Sequence, residues 1–224
     1  MPHSSRRTAI VLAGGESSRF GSNKALQVLA GKPLVGHVAE RLSHVADVII
    51  VVIGRDKSRK EYEAVVPSHV RVLNDEREGK TPLIGIVTGL RATKSEYALL
   101  SACDIPFVDE EVIKLLFQRA SGIDAAIPRW NQGHIEPLEA VYRTASTLQA
   151  GLETLAPSNQ RLRRMIAKLG RVAYVSVEKE ISKIDPDLRT FFNVNTREDL
   201  DTAEKMLQKG IRRNAGKPGK GGQR

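Results

Sequence analysis

Near-continuous apolar runs alternate along the chain with stretches whose apolar residues recur at helical spacing. The runs at 8–13 (TAIVLA), 47–53 (DVIIVVI) and 97–102 (YALLSA) have little polar alternation. Their length and β-branched content predict strands buried on both faces, as in a parallel sheet. Shorter runs at 70–73, 124–128, 139–142 and 172–177 predict further strands. Helical spacing marks 33–42, 60–66, 83–92, 110–120, 144–155, 160–169 and 197–207, and Pro33 suits the first turn of its helix. Strand and helix alternate over most of the length. The pattern predicts an α/β fold: a single Rossmann-like three-layer domain, a mainly parallel sheet with helices on both faces.

The 224 residues suit one medium domain, expected over 8–209, between a flexible N-terminus (1–7) and a disordered basic tail (210–224). Composition adjusts this picture at the ends. The net charge of +9 would suggest a nucleic-acid partner if it lay on the domain. Most of it comes instead from Arg6, Arg7 and the tail residues Arg212, Arg213, Lys217, Lys220 and Arg224. The Gly- and Lys-rich tail reads as a solvated end or as a weak contact with RNA, a partner or an acidic surface. Aromatic residues make up 4%, so no stacking platform for single strands is evident. Cys103 is the single cysteine, which rules out an internal disulfide and fits a reducing cytoplasm. Without an apolar run of about 18 residues, no membrane span is expected, and the polar start does not resemble a signal peptide.

In open α/β sheets, ligands sit at the carboxyl ends of strands, so chemistry is sought in the loops after Ala13, Leu73 and Ala102. The first loop, LAGGESSRFGSNKAL over 12–26, carries Gly14, Gly15, Gly21, Arg19 and Lys24. Glycines let backbone N–H groups approach a phosphate closely. Arginine can fork two bonds onto phosphate oxygens, and lysine adds a mobile point charge; Ser17 and Ser18 add hydroxyls. The spacing is neither GxGxxG nor Walker A. On composition alone, a flexible loop with solvated charges stays open. Asp104 follows a predicted strand and precedes Ile105-Pro106. It suits Mg²⁺, or equally a turn or helix cap. Asp75 alone reads as a turn residue, Cys103 as a packed thiol, and Arg161, Arg163 and Arg164 as a solvated helix face.

Taken together, Leu12, Ala13, Gly14, Gly15, Ser17, Arg19, Gly21, Lys24 and Leu26 spell LAGGxSxRxGxxKxL. This resembles the signature of the MobA-type molybdenum cofactor guanylyltransferases. Further segments are similar to that family: Cys103–Phe107 to CDxPF, Pro82–Ile86 to PLxGI, Pro137–Tyr142 to PLxAxY, and Phe192–Leu200 to FxNxNTPEDL, with Arg197 for the usual Pro. Related cytidylyltransferases usually show Ala-Ala-Gly where this chain has Ala13-Gly14-Gly15, which favours guanine.

The resemblance covers roughly 8–207. It implies transfer of GMP from GTP to the terminal phosphate of molybdopterin, with release of pyrophosphate. Catalysis would fall to Lys24, Arg19 and Asp104, with Mg²⁺ on Asp104. Nucleotide binding would fall to Leu12, Ala13, Gly14, Gly15, Lys24, Asp75, Asp104, Asn193 and Asn195, although a turn role for the two asparagines stays open. Arg161, Arg163 and Arg164 become candidates for the phosphorylated pterin, and transient contact with molybdoenzymes or cofactor-insertion proteins is implied. Thr196 and Asp199 read as a capping pair. The chain departs from the family at Val52-Ile53-Gly54, where bacterial members often carry an Asn that helps bind guanine. The alternatives are a cytidylyl-, sugar-phosphate or phospholactate nucleotidyltransferase, and a non-catalytic nucleotide-binding protein.

Overall fold

The computed structural model describes residues 6–15, 23–79, 81–155 and 161–215. In chain order its elements are β1 (Arg7–Leu12), β2 (Val28–Leu29), β3 (Lys32–Pro33), α1 (Leu34–Leu42), β4 (Val48–Ile53), α2 (Arg59–Glu63), β5 (Arg71–Asn74), α3 (Pro82–Arg91), β6 (Tyr97–Ala102), α4 (Glu110–Ala120), β7 (Ala125–Arg129), β8 (Glu139–Arg143), α5 (Thr144–Thr154), α6 (Leu162–Ala167), β9 (Val172–Ser176) and α7 (Arg197–Ala215). Seven strands form a sheet in the order β5-β4-β1-β6-β8-β7-β9. Its neighbours run parallel except at β8, which is antiparallel to β6 and to β7. The fold is the mainly parallel α/β domain that the apolar runs predict.

Those runs lack alternation because the central strands are covered twice. Ala9, Val11, Ile49, Val51 and Leu99 face one buried cluster with Val38, Leu42, Val112 and Leu116 of α1 and α4. Ile10, Ile50, Val52 and Leu100 face the other with Leu83, Ile86 and Leu90 of α3. A smaller cluster of Leu29, Leu34, Phe107, Val194 and Ala203 ties the β2–β3 hairpin and α7 to this body. Among the described residues, no helix is long and apolar enough to cross a membrane.

Two expectations are corrected. Pro33 is not in the first turn of α1: it pairs with Val28 in the β2–β3 hairpin and caps the helix in an extended conformation, ψ 149°. The last helix does not stop at Leu207 but continues to Ala215, past the expected start of the tail at Gly210. A single interior glycine costs a helix only about 1 kcal/mol, and the residues after it carry no proline before Lys217.

Candidate functional site

The carboxyl ends of β1, β4, β5 and β6 open onto a cleft of about 810 Å³. Leu12, Ala13, Gly14 and Gly15 line its floor, Gly54–Lys57 and Arg77–Gly79 one wall, and Ala102–Asp104 with Asn195 the other. The start of α3 enters through Thr81, Pro82 and Gly85. The Thr81 hydroxyl accepts from Leu83 N–H at 3.3 Å, and the first turn of a helix is favourable for anions.

Lys24 reaches the cleft from a short 3₁₀ turn, Lys24–Leu26. That turn is anchored just upstream, where Asn23 Nδ2 donates to the hydroxyl of the fully buried Tyr62 at 2.8 Å. The Lys24 ammonium forms an ion pair with Asp104 Oδ2 and donates to Asn195 Oδ1 at 2.6 Å. Asp104 and Asn195 are themselves linked through the chain, because Val194 N–H donates to the Asp104 carbonyl at 2.8 Å. The α7 start is closed by a reciprocal cap: Asp199 accepts from Thr196 N–H at 2.9 Å, and Thr196 Oγ1 accepts from Asp199 N–H at 3.1 Å.

Asp104 Oδ1 is buried and has no hydrogen-bond partner among the described residues. Among the described residues, no group of three or more His, Cys, Asp or Glu could hold a metal. A carboxylate with a free oxygen beside a lysine fits Mg²⁺, which takes one or two carboxylates and completes its shell with phosphate oxygens and water.

Asp75 follows β5, where its N–H continues the ladder to the Ile53 carbonyl at 2.8 Å. It sits beneath two glycines. A Cβ on Gly14 would stand 3.3 Å from Asp75 Oδ2, and one on Gly85 would stand 3.4 Å from Oδ1. Oδ1 lacks a hydrogen-bond partner among the described residues. Burial pushes the carboxyl up to about 6, against a smaller opposing effect from the Thr88 hydroxyl. Desolvation penalises the bare carboxylate, so the ionised group gains from a ligand that brings its own donors.

The structure thus brings Leu12, Ala13, Gly14, Gly15, Lys24, Asp75, Asp104 and Asn195 to one cleft. Asn193 is not among its lining residues. It is exposed, and its Nδ2 donates to the Phe191 carbonyl at 3.0 Å within its own turn. Arg161, Arg163 and Arg164 do not line the cleft either. Arg163 and Arg164 are exposed on α6. Arg19, Ser17, Ser18 and Gly21 lie outside the described residues. Cys103 is buried, and desolvation pushes its thiol up to about 12, consistent with a packed group rather than a nucleophile.

Sequence reasoning missed the wall residues Arg55, Lys57 and Arg77. It also missed Asn74, whose Nδ2 donates to the Gly54 carbonyl at 3.2 Å and the Lys57 carbonyl at 2.8 Å, clamping the loop after β4. That loop holds Gly54 where an asparagine was sought, so backbone rather than an amide side chain borders the cleft there.

Residues 9–172 match the MobA-like NTP transferase domain. The chain is 40% identical over 203 residues to a probable molybdenum cofactor guanylyltransferase of Methanosarcina acetivorans, covering 88% of this chain and 89% of that protein. It is 35% identical over 205 residues to the molybdenum cofactor guanylyltransferase of Desulfosudis oleivorans, covering 91% and 96%. Molybdopterin-guanine dinucleotide biosynthesis protein A from Archaeoglobus fulgidus superposes with a TM-score of 0.76 at 30% identity, covering 90% of this chain and 99% of that one. A glycine-lined strand-end cleft, a lysine–aspartate pair on its wall and these matches along the chain lead to one assignment: the chain belongs to the MobA-like NTP transferase family.

Proposed function

We propose that this protein transfers GMP from GTP to the terminal phosphate of molybdopterin, giving the guanine dinucleotide form of the cofactor and pyrophosphate. The observation that carries the reading is the Lys24–Asp104–Asn195 cluster on one wall of a glycine-lined cleft; the names of the relatives above supply the substrates.

A phosphate monoester oxygen is already a competent nucleophile. It forms a bond to the α-phosphorus as the bond from that phosphorus to the bridging oxygen breaks, and the electron pair leaves on pyrophosphate. The protein's part is positioning and charge neutralisation. Lys24, with Arg19 of the same sequence motif, neutralises charge that gathers on the leaving group. Gly14 and Gly15 let backbone amides lie against the nucleotide, and the α3 start adds its N-terminal amides. Asp75, with a free Oδ1, accepts from the N1–H and N2–H donors of guanine. Asp104 would hold Mg²⁺, which supplies electrostatic stabilisation of the phosphate oxygens. Asn195 orients Lys24, whereas Asn193 stays in its turn. The reading places the reaction in the cytoplasm, with transient contacts to the enzymes that receive the product.

Calorimetric titration of GTP, CTP and ATP in the presence of Mg²⁺ tests this reading. Preferential GTP binding that weakens in Asp104→Ala, followed by molybdopterin-dependent pyrophosphate release, is the expected result. Preference for CTP would discard guanine and keep the family, an outcome to which Gly54 at the end of β4 gives weight. Binding of no triphosphate would sink the reading altogether.

A further inference from the structure

Glu139 opens β8 and is 4% exposed, a depth at which acidic side chains are rare unless paired. The antiparallel register sets it opposite Ser101 of β6. Its Oε1 accepts from Ala102 N–H at 3.1 Å. Its Oε2 is buried with no hydrogen-bond partner among the described residues. Two residues beyond Ala102, Asp104 Oδ1 is in the same condition. Because β6 and β8 are hydrogen-bonded neighbours, Glu139 and the turn that carries Asp104 meet at the same end of the sheet. Leu138, Ala102 and Cys103, which flank the pair in sequence, line the cleft.

As a purely structural device this arrangement is poor. An unpaired buried polar atom is costly, and a charged one more so. The Ala102 amide would be equally satisfied by a glutamine. Two unpaired carboxyl oxygens from adjacent strand ends, below a cleft with phosphate-binding character, are satisfied together by a cation.

We propose that Glu139 is the second carboxylate of the divalent-cation site centred on Asp104. The inference rests on the metal role given to Asp104 above. It assigns to β8 a part in the site that the strand-end loops alone do not supply. With two carboxylates serving the cation, Lys24 is free to leave Asp104 for the triphosphate.

Mn²⁺ titration of the nucleotide-free, full-length protein, followed by the electron paramagnetic resonance signal of free Mn²⁺, tests this without turnover. Asp104→Asn should abolish binding, and Glu139→Gln should weaken it about tenfold or more, as loss of a supporting ligand does. Glu139→Gln removes a buried acid, so its thermal midpoint without metal should equal or exceed that of the wild type. A folded Glu139→Gln that binds Mn²⁺ within twofold of the wild type overturns the proposal while leaving Asp104 as the ligand. Mn²⁺ binding absent from the wild type, or unchanged in both variants, overturns the proposal and the Asp104 reading together. Glu139→Asp, which keeps the charge one methylene back, should bind between the wild type and Glu139→Gln; equal binding in all three also counts against the proposal.

Discussion

Lys24 Nζ donates to Asn195 Oδ1 at 2.6 Å although 171 residues separate them in the chain. The contact is built by backbone: the Val194 N–H on the Asp104 carbonyl lays the segment before α7 across the loop after β6. Lys24→Ala is expected to lower kcat by about 10²-fold or more with a smaller change in KM, as when a charge partner of the transition state is removed. Asn195→Ala leaves the ammonium and removes its orienting acceptor, so it should cost about tenfold. Steady-state pyrophosphate release measures both. An equal loss in the two variants would show that Asn195 meets substrate directly.

Asp75 links the site to stability. Its folded carboxyl sits at about 6, above the ordinary value of 3.8. Between those values the folded protein retains a proton that the unfolded chain has released, so stability falls as pH rises through this window and levels off above it. Asp75→Asn lacks this cost. Denaturant unfolding without nucleotide should find the variant more stable by about 1–2 kcal/mol at pH 7, less than full linkage because the group is partly exposed. The gap should close toward pH 4. A gap independent of pH would reject the account.

The central strands β1, β4 and β6 were legible because burial on both faces leaves unbroken apolar runs. Lys24 and Asp104 were legible because their motifs fall at the ends of those runs. The β2–β3 hairpin was not. Strands of two residues have no periodicity, and the turn places Ala30 as well as Gly31 at positive φ, 48° and 83°, which the alanine does not announce. The direction of β8 was hidden too, because an apolar strand reads the same in either sense. Asn74 and Glu139 look like ordinary strand-end residues. What sets them apart is which neighbouring backbone ends beside them: the Gly54–Lys57 loop for one, the Ala102 amide for the other.

The seat of α3 on the sheet depends on Gly89. A Cβ there would stand 2.5 Å from Ile10 Cγ2 and 3.1 Å from Ile10 Cδ1, and Ile10 is fully buried between strands. Its side chain has no free volume to retreat into, so helix or strand must shift. Gly89→Ala should therefore destabilise the fold by about 1–3 kcal/mol through overpacking, despite the better helix propensity of alanine. Paired Gly89→Ala and Ile10→Ala substitutions should cost less than the sum of the two single losses, because the alanine lacks both the Cγ2 and the Cδ1. Thermal or denaturant melts of the single and paired variants decide, and additive losses would place the clash elsewhere.

Asn74 separates binding from chemistry. Its Nδ2 bonds hold the Gly54 and Lys57 carbonyls, which fixes the cleft wall beyond β4. It does not itself line the cleft. Asn74→Ala removes the donors and leaves the two carbonyls to water, at about 0.5–1.5 kcal/mol per lost bond in stability. The loop then no longer presents a preformed wall to the nucleotide, so the cost of ordering it falls on binding. The expected outcome is a rise in the KM for GTP of about tenfold with kcat within about twofold of the wild type, since Lys24 and Asp104 stand on other loops. Asn74→Asp should not rescue it, because a carboxylate in place of the amide offers no donor to either carbonyl. If kcat fell and KM held, the loop after β4 would be acting on the reacting phosphates rather than on the nucleoside.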